Sequence, residues 1–124
     1  MKILALKSTK AMRRYGSQVW RLLEQNYSQV EGGLHYASLR ELIETSVQWK
    51  VVVWQHRVVA VTVYKAKKGL KLVALASCSE AKTQARKGLI QIISQDLYSC
   101  WMELSERAER FVMLHCNGAQ FLIG

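Results

Sequence analysis

Proline is absent from this chain of 124 residues. Its turns must therefore be made by glycine, asparagine and serine, and no helix can be stopped by a ring-locked φ. Cysteine is scarce: Cys78, Cys100 and Cys116 are odd in number, widely spaced and set in apolar sequence. That pattern fits neither a zinc site nor a disulfide framework and reads as reduced, buried thiols, with no metal ligands to name. Acidic residues are few, 9 against 18 Lys and Arg, so the formal charge is +9. Long apolar runs are missing as well. None approaches the roughly 20 residues that cross a bilayer, and MKILALK holds too few apolar residues for a secretory leader. These absences argue against a membrane partner, a secreted disulfide scaffold and a collagen-like or disordered chain. They predict a soluble, cytoplasmic protein.

What is there is ordinary for a globular protein: half the residues are apolar and 22% are charged. At this length residues 1–124 read as one domain, since domains commonly run to about 100–150 residues. The excess of positive charge on so small a body attracts polyanions, whether nucleic acid, a phosphorylated cofactor or an acidic partner.

MKILAL reads as an opening strand. From Lys10 to Gln25, Met12, Tyr15, Val19, Leu22 and Leu23 recur at helical spacing, with Arg13, Arg14 and Arg21 on the other face. Asn26 to Gly33 reads as a turn. Ser38-Leu39-Arg40-Glu41 has the form of a capping box and starts a short helix to Ser46. Trp49–Gln55 and Arg57–Lys65 are β-branched and aromatic runs separated by a Gln-His turn. KAKKG is a basic turn into a third strand, LKLVALAS, which completes an antiparallel meander. Leu89, Ile90, Ile92, Ile93 and Leu97 then mark a well-buried helix. CWMELS is a further strand, and Ser105 caps a final helix whose face carries Ala108, Phe111, Val112 and His115. Asn117-Gly118 is a stop signal, and AQFLIG a last short strand or tail. The order β-α-α-β-β-β-α-β-α predicts an α/β (α+β) fold: a mixed, mostly antiparallel central sheet flanked by helices.

The segment VALASCSEAKTQARKGLIQII reads as a strand, then a loop holding Lys82, Arg86, Lys87 and Gly88, then a helix. Free amides at a helix start, a glycine and three cations suit a diphosphate. The segment has no Walker lysine and only one glycine, which excludes a P-loop and a dinucleotide fingerprint.

In this element order the chain resembles the GNAT superfamily of acyl-CoA-dependent N-acyltransferases. Ala85-Arg86-Lys87-Gly88-Leu89-Ile90 stands where that family has a pyrophosphate loop of form [RQ]-x-x-G-x-[GA]. Ala108-Glu109-Arg110-Phe111 opens the family's last helical motif. The match runs from about Trp49 to Phe121, with departures: Ala85 and Ile90 replace motif residues of the loop, Val112 replaces the usual tyrosine acid, and Cys116-Asn117 replaces Gly-Phe.

The resemblance implies a GNAT-like fold, acetyl-CoA or CoA as cofactor and acyl transfer to an amine. The diphosphate would rest on amides from Arg86 to Leu89 through Gly88, with Lys82, Gln84, Arg86 and Lys87 around it. The main chain of Leu75, Ala76 and Ser77 would pair with the pantetheine arm, in a gap that splays this strand from CWMELS. The N-terminal helices and loops, here Tyr27 to Tyr36, would form the acceptor pocket. Glu80 is the candidate catalytic base and His115 a candidate base or acid, with Glu103 as a further cleft carboxylate, Cys78 as a lesser candidate nucleophile and His56 read as solvated.

A second reading needs no catalysis. Lys65, Lys67, Lys68 and Lys71 beside Tyr64, and the arginines of the first helix, give a basic surface with aromatics that suits nucleic acid. On that reading the domain is a GNAT-like binder of nucleic acid or protein, or a variant that modifies a nucleic-acid base. The chain is expected to act as a monomer or a homodimer, the latter if its C-terminal strand pairs across two copies.

Overall fold

A computed structural model describes residues 1–28, 33–99 and 102–116. The elements follow in the order β1 (Lys2–Leu6), α1 (Thr9–Tyr27), α2 (Leu39–Thr45), β2 (Gln48–Trp54), β3 (Arg57–Ala66), β4 (Leu70–Ser77), a 3-10 turn (Ser79–Ala81), α3 (Lys82–Ser99), β5 (Met102–Leu104) and α4 (Glu106–His115). The five strands form one sheet in the order β1-β2-β3-β4-β5. The first four are antiparallel neighbours, and β5 joins β4 in parallel. The fold is α+β with a mixed sheet, as the sequence pattern predicts.

The caps are where serine places them. Ser8, Ser38 and Ser105 each accept from a backbone amide in the first turn of the helix they precede. Glu41 closes its end of the box one residue further back than predicted, accepting from the amide of Ala37 at 2.6 Å. The β2–β3 hairpin turns on Gln55 and His56, both at positive φ (51° and 64°). A two-residue turn with both centres left-handed matches the twist of its strands, even without glycine.

Alternation in the strands sorts the two faces. Lys50, Val52, Thr62 and Tyr64 turn toward α3, and Trp49, Val51, Val61 and Val63 toward α1 and α2. On the α3 face a polar pin is buried: the Tyr64 hydroxyl and the Lys50 ammonium both donate to the Asp96 carboxylate. The Thr62 hydroxyl completes it, donating to Tyr64 Oη at 3.0 Å.

Two sequence expectations need correction. α1 runs on through Asn26 and Tyr27, which were expected in a turn. The segment expected as a phosphate loop is helical, because α3 begins at Lys82. Interior amides of a helix are spent on carbonyls one turn back, so those of Arg86, Lys87, Gly88 and Leu89 cannot cradle a diphosphate. Gly88 has a different reason to be glycine: a Cβ there would lie 2.4 Å from a Val52 methyl. It lets α3 lie close on β2. The expected Asn117-Gly118 stop, the last strand, Cys100 and Trp101 lie outside the described residues.

Candidate functional site: the wedge beside β4

Among the described residues, β5 pairs with β4 at Leu70↔Met102, Lys71↔Glu103 and Leu72↔Leu104. Its ladder ends as Ser105 donates to the Leu72 carbonyl at 2.9 Å. Beyond that point the outer edge of β4, Val73 to Ser77, has no strand beside it among the described residues. The inner edge continues on β3, with a register shift that leaves Val73 as an extra residue in β4. Such a bulge bends the strand, here at the residue where β5 and β4 part.

An unpaired strand edge cannot be left bare in a protein interior. α1 covers it with side chains. Tyr27 Oη accepts from the Leu75 amide at 3.3 Å. Asn26 Oδ1 accepts from the Ser77 amide at 3.2 Å, and Asn26 Nδ2 donates to the Ser77 carbonyl at 2.9 Å. Arg107, near the start of α4, donates to the backbone carbonyl of Asn26 and to its Oδ1 at 3.0 and 3.2 Å. Its guanidinium also stacks over the Tyr27 ring at 4.6 Å. Side chains from α1 and α4 thus stand where a neighbouring strand would otherwise run.

Three cavities open along this edge, and Arg107 lines all of them. The middle one, about 400 Å³, lies against Leu75, Ser77, Lys82, Arg86, Leu89 and His115. Lys82, Arg86 and Leu89 sit at i, i+4 and i+7 of α3, so one helical face delivers two cations and an apolar side chain to it. At the bulge, a second cavity of about 460 Å³ is lined by Tyr27, Gly33, His35, Tyr36, Lys65, Lys71, Val73, Glu106, Arg107 and Arg110, among others. The third, about 520 Å³, lies at the end of β4 around Cys78, Glu80 and Lys82.

The predicted site residues divide accordingly. Leu75, Ser77, Lys82, Arg86 and Leu89 come together in the middle cavity with His115. Ala76 is buried within the sheet, and Gln84, Lys87 and Gly88 lie off the α3 face that lines that cavity. Glu80 is exposed beside the third cavity, and Cys78 Sγ donates to its carboxylate at 2.6 Å. That hydrogen bond, and one from Glu80's own amide, hold the Glu80 carboxyl below its ordinary range. A base for an amine works best with a pKa near neutrality, so Glu80 is tuned away from that task. Cys78 thus directs its thiol at the Glu80 carboxylate.

His115 packs its ring against Phe111, with centroids 4.7 Å apart. Glu103 pairs with Lys71 at 3.4 Å and Lys67 at 3.7 Å and is a rim carboxylate. Val112 is fully buried. Tyr36 is half-buried, and burial, then Glu41 and Tyr27, push its phenol above the ordinary value, so it stays neutral. Burial likewise pushes the Cys116 thiol up.

Sequence reasoning missed Asn26, took Tyr27 for part of an acceptor-pocket loop, and missed Arg107. The signal for the first two was in the periodicity: Leu22 and Leu23 are followed four residues later by Asn26 and Tyr27, which extends the buried stripe of α1. Arg107 left no local trace, because its partners lie 81 residues away.

No protein-family model matches the chain, and no curated protein does. Among the described residues no cluster of His, Cys, Asp and Glu could hold a metal ion, and no helix is long and apolar enough to cross a membrane.

Proposed function

We propose that this chain is an acyl-CoA-dependent N-acyltransferase of GNAT type that uses the wedge between β4 and β5 as its carrier channel. The observation that carries the reading is the half-paired edge of β4, which turns the amides of Leu75 and Ser77 toward a cation-lined cavity. A pantetheine arm is an extended chain with amide groups. It can take the place of a strand at such an edge, as added peptides do on open sheets. Tyr27 and Asn26 would give up their bonds to Leu75 and Ser77 as the arm enters.

The phosphates would lie against Lys82 and Arg86, side chains taking over from the loop amides that α3 does not offer. The CoA thioester supplies an activated acyl group. Attack by the amine nitrogen on the thioester carbonyl would break its carbon–sulfur bond, and the departing thiolate would take up the amine's proton. The chain's part is to hold that amine at the bulge, where the cavity offers His35 and Glu106 as proton acceptors. Neither Glu80 nor His115 lines that cavity, so both move out of the catalytic role in this reading.

The test is a thermal shift. At a hundredfold excess over its dissociation constant a ligand adds about 2.7 kcal/mol of stability, so CoA and acetyl-CoA should raise the melting temperature by several degrees. Arg86→Glu should abolish the rise. No rise at millimolar CoA would refute the reading.

A second reading, a GNAT-like domain that binds without transferring, draws on Val112. A buried valine offers no proton where the resembling family uses a tyrosine acid. Incubation with acetyl-CoA and a panel of amines, read by thiol release, separates the two. Release above the uncatalysed rate favours the enzyme, and a CoA-induced shift without release favours the silent domain.

A further inference from the structure

The bulge cavity has a chemistry of its own. Lys65, Lys71, Arg107 and Arg110 line it, with Glu106 the one carboxylate among the described lining residues. The basic lining continues onto the β3–β4 turn, where Lys67 and Lys68 are exposed. Two carboxylates answer these six cations among the described residues: Glu103 pairs with Lys67 and Lys71, and Glu106 with Arg110 at 3.9 Å. The surface around the cavity mouth therefore keeps a large positive excess. Inside, the lining is aromatic as well as cationic: Tyr27 under the Arg107 guanidinium, Tyr36 half-buried, and His35 exposed.

We propose that the bulge cavity and the lysine turn beside it bind a single-stranded nucleic acid, with one base in the cavity and the flanking phosphates along Lys65, Lys67, Lys68 and Arg110. Cations spaced along a rim suit a chain of permanent negative charges, and flat side chains in a concave pocket suit a flat base. An acidic peptide would meet the same cations but has nothing to offer the aromatic lining. A base held in a duplex cannot enter a concave pocket without leaving its stack, so a single strand is favoured over a duplex. As a binding site this stands on the cavity alone. As the assignment of the acceptor, a base amine, it rests on the acyltransfer reading.

The experiment measures anisotropy of a fluorescein-labelled, mixed-sequence DNA strand, titrated from about 50 to about 200 mM salt. The wild type should bind, with affinity falling as salt rises. Lys65→Glu with Arg110→Glu should weaken binding about tenfold or more. The neutral pair Lys65→Gln with Arg110→Gln should lower the log–log salt slope by about 1.4, the contribution of two phosphate contacts on a single strand. Lys10→Glu with Arg13→Glu, an equal charge change on exposed positions of α1, should weaken it less than about threefold. Melting curves confirm that each variant folds.

Equal weakening by the patch and α1 pairs overturns the site in favour of diffuse charge. Polyglutamate that competes as well as unlabelled strand overturns the choice of nucleic acid over protein, and duplex that binds as tightly as single strand overturns the base in the cavity. The acceptor assignment has its own readout: the strand should gain one acetyl mass with acetyl-CoA. A strand that binds at the patch while CoA raises no melting temperature defeats the acyltransfer reading and leaves the binding site standing. A CoA shift without strand binding does the reverse.

Discussion

The two faces of the sheet satisfy their buried polar groups in different ways. On the α3 face, Lys50, Tyr64 and Thr62 converge with Asp96 in a pin packed between helix and sheet, and Gly88 draws the helix down onto Val52. At the wedge, the bare edge of β4 is covered by Asn26 and Tyr27, with Arg107 holding both and cavities on either side. The first arrangement has nowhere to go. On the proposed reading the second exchanges its hydrogen bonds for ones to a ligand, because the groups that cover the edge are side chains beside cavities. The lesson is that a fully satisfied edge is not a closed one. What matters is whether the partner is backbone, fixed by its own element, or a rotamer.

That contrast can be broken at four points. Asp96→Ala should have the largest effect, about 3 kcal/mol lost in chemical denaturation, because it strands Lys50 and the Tyr64 hydroxyl. CoA binding by whatever protein remains folded should be unchanged. Gly88→Ala comes next, at about 2 kcal/mol, since neither α3 nor Val52 can give way cheaply. A melting temperature that barely moves would mean that α3 does not lie as close to β2 as described.

Tyr27→Phe should cost about 1 kcal/mol, the worth of one hydrogen bond whose buried donor is left unpaired. It should also enlarge the CoA-induced thermal shift, because Leu75 then gains a partner only when ligand arrives. A smaller shift would mean that the Tyr27 hydroxyl contacts the ligand itself. The smallest effect is expected at Glu80. Its carboxyl is held below the ordinary range chiefly by the Cys78 thiol, so any stability it lends is present above its unfolded pKa and fades as pH falls through the folded one. Cys78→Ala should raise the Glu80 pKa toward the ordinary value, read by NMR titration, with little change in stability at neutral pH.

Much of this architecture was legible in the residues. Trp49 to Ser77 could hardly be anything but hairpins, since β-branched residues crowd it and the Gln-His and KAKKG segments punctuate it. The start of α3 was not legible, for a physical reason. Its sheet-facing stripe begins with Ala85 and Gly88, small residues that hydrophobic periodicity underweights, and its first turns carry the cations that made the segment look like a loop. The same helical face explains why Lys82, Arg86 and Leu89 reach the wedge while Gln84 and Lys87 do not. The β4–β5 gap followed only from the family resemblance. Its covering could not, because Asn26 and Arg107 are joined only through the folded chain.

The most direct measurement is amide NMR of the labelled protein during titration with CoA. The account predicts that the Leu75 and Ser77 amide resonances shift together, saturably, and exchange more slowly with solvent once ligand is bound. If those two amides stay fixed while resonances elsewhere report binding, the edge of β4 is not where the carrier lies.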